Sequence, residues 1–250
     1  MIDFASARIA ILGTGREGRA AWRWLRARHA GIELTLIDEK EPDPAFARLL
    51  GAEDRLITGP LETVGLQEFD VLVRSPGISI YRDCLRRALA AGVTVTTPSS
   101  LWFSAHRDQR TICITGTKGK STTSALLAHV LASQGYAVRL AGNIGKPLLE
   151  CDDLGVDWWV IELSSYQLAD LEAEPTLAVL LNLSPEHLDW HGDAGPVGKI
   201  DAARFPAAWL ELPAQRGDEG LDGPHNRVGK SSDVDRFHGG PPLDKAPRVA

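Results

Sequence analysis

The stretch ICITGTKGKSTTSALLAHVL, Ile112–Leu131, decides the fold of this 250-residue chain. It reads as an apolar strand, then a short turn rich in glycine and lysine, then a helix. Such an order is typical of a loop that holds a phosphate group, because a helix begins with free backbone N–H groups and a positive dipole end. The stretch therefore predicts a phosphate-binding loop in the middle of the chain.

The turn differs from the common nucleotide-binding loop G-x-x-x-x-G-K-[ST], since Ile114 stands where the first glycine would be. Its chemistry is nevertheless retained. Small residues let the backbone wrap a phosphate chain, Lys120 can reach the β- and γ-phosphates, and Ser121 or Thr122 can hold Mg²⁺. A ligand-free turn before a helix is the alternative, and it explains the two lysines poorly. We expect a nucleoside triphosphate to bind at Gly116, Thr117, Lys118, Gly119, Lys120, Ser121 and Thr122.

Around this loop, short apolar strands alternate with helical stretches from Arg8 to about Leu183, which predicts an α/β fold with mostly parallel sheets. The predicted strands are Arg8–Leu12, Glu33–Ile37, Val71–Val73, Val93–Thr97, Thr111–Thr115, Ala137–Ala141, Trp158–Leu163 and Leu177–Leu183. They form two series. We expect a Rossmann-like domain over residues 1–104 and a P-loop-type domain with a parallel sheet over residues 105–193.

The texture changes in residues 194–250, where Gly and Pro make up 15 of 57 residues, against 24 of the 193 before them. The strand and helix rhythm also stops, so this tail is predicted to be irregular or disordered. Its apolar cluster WLEL, Trp209–Leu212, is too short to form a core.

Composition excludes several classes of protein. A net charge of −6 argues against nucleic-acid binding. No apolar run approaches the ~20 residues that span a bilayer, and the N-terminus lacks the pattern of a secretory signal. The three cysteines are odd in number and unpaired by spacing, which favours reduced thiols. We expect a cytoplasmic protein without membrane insertion, and a monomer.

A second glycine turn, ILGTGREG, places Gly13, Gly15 and Gly18 in G-x-G-x-x-G spacing between a strand and a helix. Asp38 ends the next strand 20 residues beyond Gly18, where the acid of a dinucleotide-binding fold would meet a ribose. Glycine would also be favoured in a tight strand-to-helix turn that binds no ligand. A nicotinamide dehydrogenase is a second rival interpretation, and it leaves TGTKGKSTT unexplained. The turn in RSPGIS, Arg74–Ser79, follows a later strand at the same predicted edge of the sheet.

Two clusters follow the central loop. Glu162 ends the strand WWVIEL before SSYQ, where a carboxylate near a phosphate loop is a candidate magnesium ligand. His187 and Asp189 lie in PEHLDWHGD after the next strand. His187 and His191 are four residues apart, but Asp189 and Trp190 between them do not resemble a helical zinc motif. We expect His187 to contact magnesium or substrate.

These motifs together resemble the Mur ligases. The resemblance rests on TGTKGKSTT, AGNIG, ELSSYQL and NLSPEHLDWHGD, preceded by GTGREG and SPGI, and it covers roughly residues 8–193. It is strongest to the MurD type, which joins glutamate to UDP-N-acetylmuramoyl-L-alanine in peptidoglycan synthesis. The resemblance implies ATP and Mg²⁺ as cofactors, and an acyl-phosphate formed on the UDP-sugar substrate.

The resemblance also implies roles for individual residues. Lys120, Glu162 and His187 would be catalytic, and the magnesium sites would be formed by Ser121, Glu162 and His187. The UDP-sugar substrate would be bound by Gly15, Arg16, Glu17, Asp38, Ser75, Gly77 and Asn143.

Two alternatives stay open within and outside this family. LWFSAH before the ATP strand is reminiscent of the subgroup that adds L-glutamate, and a ligase that adds D-glutamate is the alternative. Residues 194–250 do not resemble the third domain of Mur ligases, and Lys199 lacks the surroundings of the lysine that is modified in them. A non-catalytic protein that binds UDP-sugar or ATP is therefore a second alternative, and from the sequence we expect binding without turnover.

Overall fold

The computed structural model describes residues 2–151, 155–171 and 173–182, and the backbone of residues 209–211. Two parallel sheets of five strands each organise these residues. The first sheet contains β1 (Ile9–Leu12), β2 (Leu34–Asp38), β3 (Asp54–Thr58), β4 (Val71–Arg74) and β5 (Thr94–Thr96). The second contains β6 (Thr111–Thr115), β7 (Val138–Gly142), β8 (Trp158–Glu162), β9 (Leu177–Leu180) and β10 (Trp209–Glu211). The predicted α/β class is confirmed.

In the first sheet the strand order is β3-β2-β1-β4-β5, so the first strand in the chain lies at the centre. All four residues of β1, IAIL, are buried, as expected for a strand covered on both faces. The chain proceeds from β1 to one side through β2 and later to the other side through β4. In such a sheet, ligands bind where the strand order reverses, at the carboxyl ends of the central strands.

The second sheet has the order β10-β9-β6-β8-β7, so the first of its strands in the chain again lies at the centre. The central strand β6, TICIT, is wholly buried between β8 and β9. Its pairing places Ile114 opposite Glu162 on one side and Thr115 opposite Leu180 on the other. The lysine-bearing turn after β6 is therefore flanked by the carboxyl ends of both neighbours.

Six α-helices are found among the described residues: α1 (Arg16–Arg28), α2 (Pro44–Ala47), α3 (Asp83–Ala90), α4 (Pro98–Ala105), α5 (Lys120–Ser133) and α6 (Ser165–Leu168). Each glycine turn leads directly into a long helix, α1 after Gly15 and α5 after Gly119. Helix α4 begins with a proline, and its N-cap Thr97 accepts a hydrogen bond from the Ser100 backbone N–H at 3.1 Å.

The two sheets share one hydrophobic core at the side where α1 and α4 lie. A single buried cluster contains Trp24 of α1, Trp102 of α4 and Trp159 of β8. The Trp102 and Trp159 rings meet edge to face at 4.8 Å between centroids. The predicted boundary at residue 104 falls within α4, whose buried residues contribute to this shared core.

The tail was expected to be irregular throughout, and Trp209–Glu211 differ from that expectation. These three residues form β10 and pair in parallel with Ala178–Leu180 of β9, which supplies partners for their backbone groups. The rest of the tail, and His187 and Asp189, lie outside the described residues. Among the residues that the structure does describe, no helix is both long enough and apolar enough to cross a bilayer.

Candidate functional site

Two glycines set the backbone shape of the loop after β6, and the side chain of one lysine lies inside it. Gly116 and Gly119 have φ angles of +142° and +83°, which other residues adopt only with strain. The Lys120 ammonium donates to the carbonyl oxygens of Gly116 and Thr117 at 2.7 and 2.9 Å. The lysine therefore lies inside the curve of the loop, and Gly119 leaves the first turn of α5 without a side-chain cap.

Asn182, just beyond β9, fixes this loop from the neighbouring strand. Its backbone carbonyl accepts from the Thr117 N–H at 2.9 Å, and its side-chain oxygen accepts from the Lys118 N–H at 2.8 Å. Its side-chain amide donates to the Lys118 carbonyl at 2.9 Å. Sequence reasoning did not assign this role to Asn182. The available signal was a polar asparagine within the apolar run predicted as the strand Leu177–Leu183.

Glu162 lies on the other side of the loop, at the end of β8, with 1% of its surface exposed. One carboxylate oxygen accepts a hydrogen bond from the Asn143 side-chain amide at 2.7 Å. The other oxygen, Oε2, is buried and has no partner among the described residues. A buried carboxylate oxygen is costly without a partner, and a hard cation would satisfy it.

Asn143 is fixed to the same strand end by its backbone. Its N–H donates to the Glu162 carbonyl at 2.9 Å. This bond fixes the turn after β7 to the end of the neighbouring strand β8. The predicted site residues Lys120, Glu162 and Asn143 are thus brought to one edge of the second sheet. Ser121 is exposed in the first turn of α5 at the same edge.

In the first sheet, the glycine turn packs closely at Gly18 and is open at Gly15. A β-carbon built on Gly18 would lie 1.8 Å from the carbonyl oxygen of Gly13, so α1 approaches the turn as closely as the backbone allows. A β-carbon on Gly15 would meet nothing within 4 Å. Gly15 is also the N-cap of α1 and has no side-chain cap, which leaves the helix N-terminus accessible to an anion.

Asp38 turns towards this loop. Its Oδ2 accepts from the Thr14 N–H and from the Thr14 hydroxyl, at 2.6 and 2.7 Å, and its Oδ1 accepts from the Lys40 N–H at 3.0 Å. Partial burial acts to raise the pKa of Asp38, but these hydrogen bonds outweigh it and lower the pKa below its ordinary value. The carboxylate therefore supports the turn as well as lying at its predicted position.

Arg16 and Glu17, in the first turn of α1, face the second sheet. The Arg16 guanidinium donates to the carbonyl oxygens of Asn143 and Gly145 at 3.1 and 3.3 Å. Burial raises the pKa of Glu17 to about 7. The positive charge of Arg16 acts to lower this pKa, and the negative charge of Glu150 acts to raise it. Arg16 contacts the turn that carries Asn143, and Asn143 binds Glu162. The predicted UDP-sugar site on the first sheet is therefore adjacent to the predicted ATP site on the second.

The Ser75–Ile78 loop lies beside the glycine turn. The Ser75 N–H donates to the Leu12 carbonyl at 3.0 Å. The Ser75 hydroxyl donates to the Gly13 carbonyl at 3.4 Å. Gly77 is exposed, with no atom within 4 Å of a β-carbon built on it. The structure thus gathers Gly15, Asp38, Ser75 and Gly77 at the carboxyl edge of the first sheet.

Family models match both halves of the chain. One described as "Mur ligase MurD-like, N-terminal domain" matches residues 7–97, and one described as "Mur ligase middle domain" matches residues 114–200. The chain belongs to the Mur ligase family. Both glycine turns of this Mur ligase chain, with the residues gathered around them, lie within the matched ranges.

Curated relatives of this Mur ligase chain carry the name UDP-N-acetylmuramoyl-L-alanine--L-glutamate ligase. The relative from Xylella fastidiosa (strain Temecula1 / ATCC 700964) is 46% identical over 221 residues, covering 81% of this chain and 46% of the relative. The one from Xanthomonas axonopodis pv. citri (strain 306) is 46% identical over 195 residues, covering 74% and 42%. The chain thus spans less than half the length of these relatives.

Among solved structures, the UDP-N-acetylmuramate:L-alanyl-gamma-D-glutamyl-meso-diaminopimelate ligase from Neisseria meningitides is similar at a TM-score of 0.49 and 20% identity. The match covers 84% of this chain and 72% of that one.

Proposed function

We propose that this chain carries the nucleotide and UDP-sugar sites of an ATP-dependent ligase. The ligase would join L-glutamate to UDP-N-acetylmuramoyl-L-alanine in peptidoglycan synthesis. The observation that carries the proposal is the buried, unpartnered Oε2 of Glu162 at the strand end next to the lysine-bearing loop. Magnesium-assisted phosphoryl transfer requires a phosphate loop and a nearby carboxylate that can bind the metal. Here the two lie at the ends of adjacent strands, β6 and β8.

Lys120 would contribute positive charge at the transferred phosphoryl group. Its ammonium is bound by two loop carbonyls, so a phosphate chain entering the loop can exchange these contacts for charge-assisted hydrogen bonds. The seven residues Gly116–Thr122 would wrap that chain with their backbone N–H groups. Asn182 keeps the loop in its curved shape before the ligand arrives, which lowers the cost of ordering it.

The Ser121 hydroxyl and the Glu162 carboxylate supply oxygen donors of the kind that a magnesium ion prefers. Ser121, Glu162 and His187, which lies outside the described residues, would hold the ion, and bound Mg²⁺ would neutralise charge on the phosphate oxygens. Asn143 occupies Oε1 of Glu162, which leaves Oε2 as the oxygen that is free to coordinate.

The UDP-sugar would lie along the edge of the first sheet, with its reacting end directed to the second. Gly15, Asp38, Ser75 and Gly77 surround an open turn at a helix N-terminus, and Arg16, Glu17 and Asn143 connect that turn to the ATP edge. The substrate carboxylate would attack the γ-phosphate of ATP, releasing ADP and forming an acyl-phosphate. The amine of glutamate would then displace inorganic phosphate and form the amide bond.

The names of the relatives support L-glutamate as the amino acid. The division into a UDP-sugar domain over residues 1–104 and an ATP domain over residues 105–193 is part of the proposal. So are a monomeric state and a cytoplasmic location.

The magnesium assignment is tested by titrating Mg²⁺ against the binding of a non-hydrolysable ATP analogue, adenylyl imidodiphosphate. Glu162→Gln keeps the shape and removes the charge, so it should raise the Mg²⁺ concentration for half-maximal nucleotide binding about tenfold or more. Glu150→Gln, at an ion pair with Arg23 away from the loop, is the matched control and should behave like the parent chain. An unchanged titration for Glu162→Gln would remove Glu162 from the site.

A further inference from the structure

Arg74, the last residue of β4, is fully buried, with 0% of its surface exposed. Its Nη1 donates to the carbonyl oxygens of Ser75 and Pro76 at 3.2 and 3.3 Å, and also to that of Ile78. Three carbonyls of one short loop therefore converge on one guanidinium nitrogen. This loop is the one to which the proposed function assigns Ser75 and Gly77.

The other side of the same guanidinium is held by α6 and the residues that follow it. Its Nε donates to Asp170 Oδ2 at 3.0 Å, and its Nη2 donates to Asp170 Oδ1 and to the Tyr166 carbonyl, the latter at 3.3 Å. Tyr166 lies in α6, and Asp170 lies two residues beyond the end of this helix. This helix begins three residues after Glu162, and a capping box formed by Ser164 and Gln167 fixes its first turn.

Only arginine has the donors for this arrangement. Its planar fork binds a carboxylate through two nitrogens while the third donates elsewhere, whereas a lysine ammonium is a single point of charge. Burying a guanidinium and a carboxylate costs desolvation free energy, so such a pair is weak evidence for stability by itself. The position of the loop is what the extra hydrogen bonds specify.

We propose that Arg74 is a positioning residue for the UDP-sugar site. It sets the shape of the Ser75–Ile78 loop and anchors that shape, through Asp170, to the segment that follows the proposed magnesium carboxylate. The name of the ligand rests on the proposed function, but the effect of Arg74 on the loop does not.

The test uses Arg74→Lys, Asp170→Asn and the double variant Arg74→Met/Asp170→Leu in the whole chain. The double variant removes both buried charges together, which leaves no uncompensated charge. The matched control is Arg23→Gln, which removes the exposed Arg23–Glu150 ion pair between α1 and the turn at residues 148–150. It leaves the loop untouched.

Two measurements are made on each folded variant. Hydrogen exchange of peptides covering residues 75–81 and 165–171 should be about tenfold faster than in the parent, with residues 120–133 unchanged. Affinity for UDP-N-acetylmuramoyl-L-alanine should fall about tenfold, while affinity for Mg²⁺–adenylyl imidodiphosphate stays within about twofold. The Arg23→Gln control should match the parent in both.

Parent-like exchange at residues 75–81 in the folded variants would overturn the proposal, as would an equal loss of affinity for both ligands. If none of the three variants folds, the pair is required for folding and the positioning role is wrong. If the parent chain does not bind the UDP-sugar, the proposed function fails, and the exchange measurement still decides the role of Arg74.

Discussion

Gly18→Ala tests how closely α1 is packed on the first glycine turn. The added methyl carbon would lie 1.8 Å from the Gly13 carbonyl oxygen, 2.9 Å from the Gly13 carbonyl carbon and 3.1 Å from the Ser75 hydroxyl. The nearest of these is backbone, and Gly13 is fixed to the first sheet by its N–H, which donates to the Ile37 carbonyl at 2.7 Å. The helix would have to move away from the sheet.

The expected cost follows from two opposing effects. Alanine is favoured over glycine inside a helix by about 1 kcal/mol. Forcing extra volume into a packed site costs about 1–3 kcal/mol and sometimes more, and an immobile backbone neighbour places this site at the upper end. We expect a net loss of about 2 kcal/mol in the free energy of unfolding.

Gly15→Ala in the same turn is the matched control, because its methyl group would meet nothing within 4 Å. Loss of glycine at an N-cap should cost less than about 1 kcal/mol. Urea unfolding followed by far-ultraviolet circular dichroism measures both variants. A Gly18→Ala chain as stable as the Gly15→Ala chain would refute the close approach of α1 to the turn.

Three further substitutions test separate contacts. Lys120→Ala should weaken binding of adenylyl imidodiphosphate about tenfold or more, yet change the free energy of unfolding by less than about 1 kcal/mol; parent-like affinity in calorimetry would exclude Lys120 from the nucleotide site. Asp38→Ala should lower the free energy of unfolding at pH 7 by about 1–3 kcal/mol, because the Thr14 N–H loses its acceptor, and equal stability in urea would contradict that. Glu17 has its pKa raised to about 7, so the folded chain binds the proton more tightly and its stability falls as pH rises from about 4.5 through 7. Glu17→Gln should therefore be more stable than the parent by roughly 1–3 kcal/mol at pH 8 and by much less at pH 5, and a parallel pH dependence of the two chains would contradict the burial of that carboxylate.

The central elements could be predicted from the sequence because their patterns are local. β6 matches the predicted strand Thr111–Thr115, and α5 is the helix predicted to follow the lysine-bearing turn. β3, DRLIT, was missed, since it is an edge strand of mixed polarity with no apolar run. α4 was missed too, although Thr97 and Pro98 give a start signal for a helix.

The positions of Lys120 and Glu162 at one edge of the second sheet could be predicted, because glycine, lysine and strand ends carry a local signal; their roles at the site stay predictions. Contacts that join distant segments could not be predicted. Asn182 binds the loop at Lys118 from 64 residues away, and Arg74 reaches Asp170 from 96 residues away. No local pattern encodes such pairs. The pairing of β6 with β9 brings Asn182 to the loop, and contact between the two halves of the chain brings Arg74 to Asp170.

The most direct test of the two facing sites is a titration of one folded sample with both ligands. UDP-N-acetylmuramoyl-L-alanine is added first, and Mg²⁺–adenylyl imidodiphosphate is then titrated by calorimetry, with the order reversed in a second run. We expect one site for each ligand, with the second ligand binding while the first stays bound. Competition between the two, or failure of a folded sample to bind either one, would contradict it.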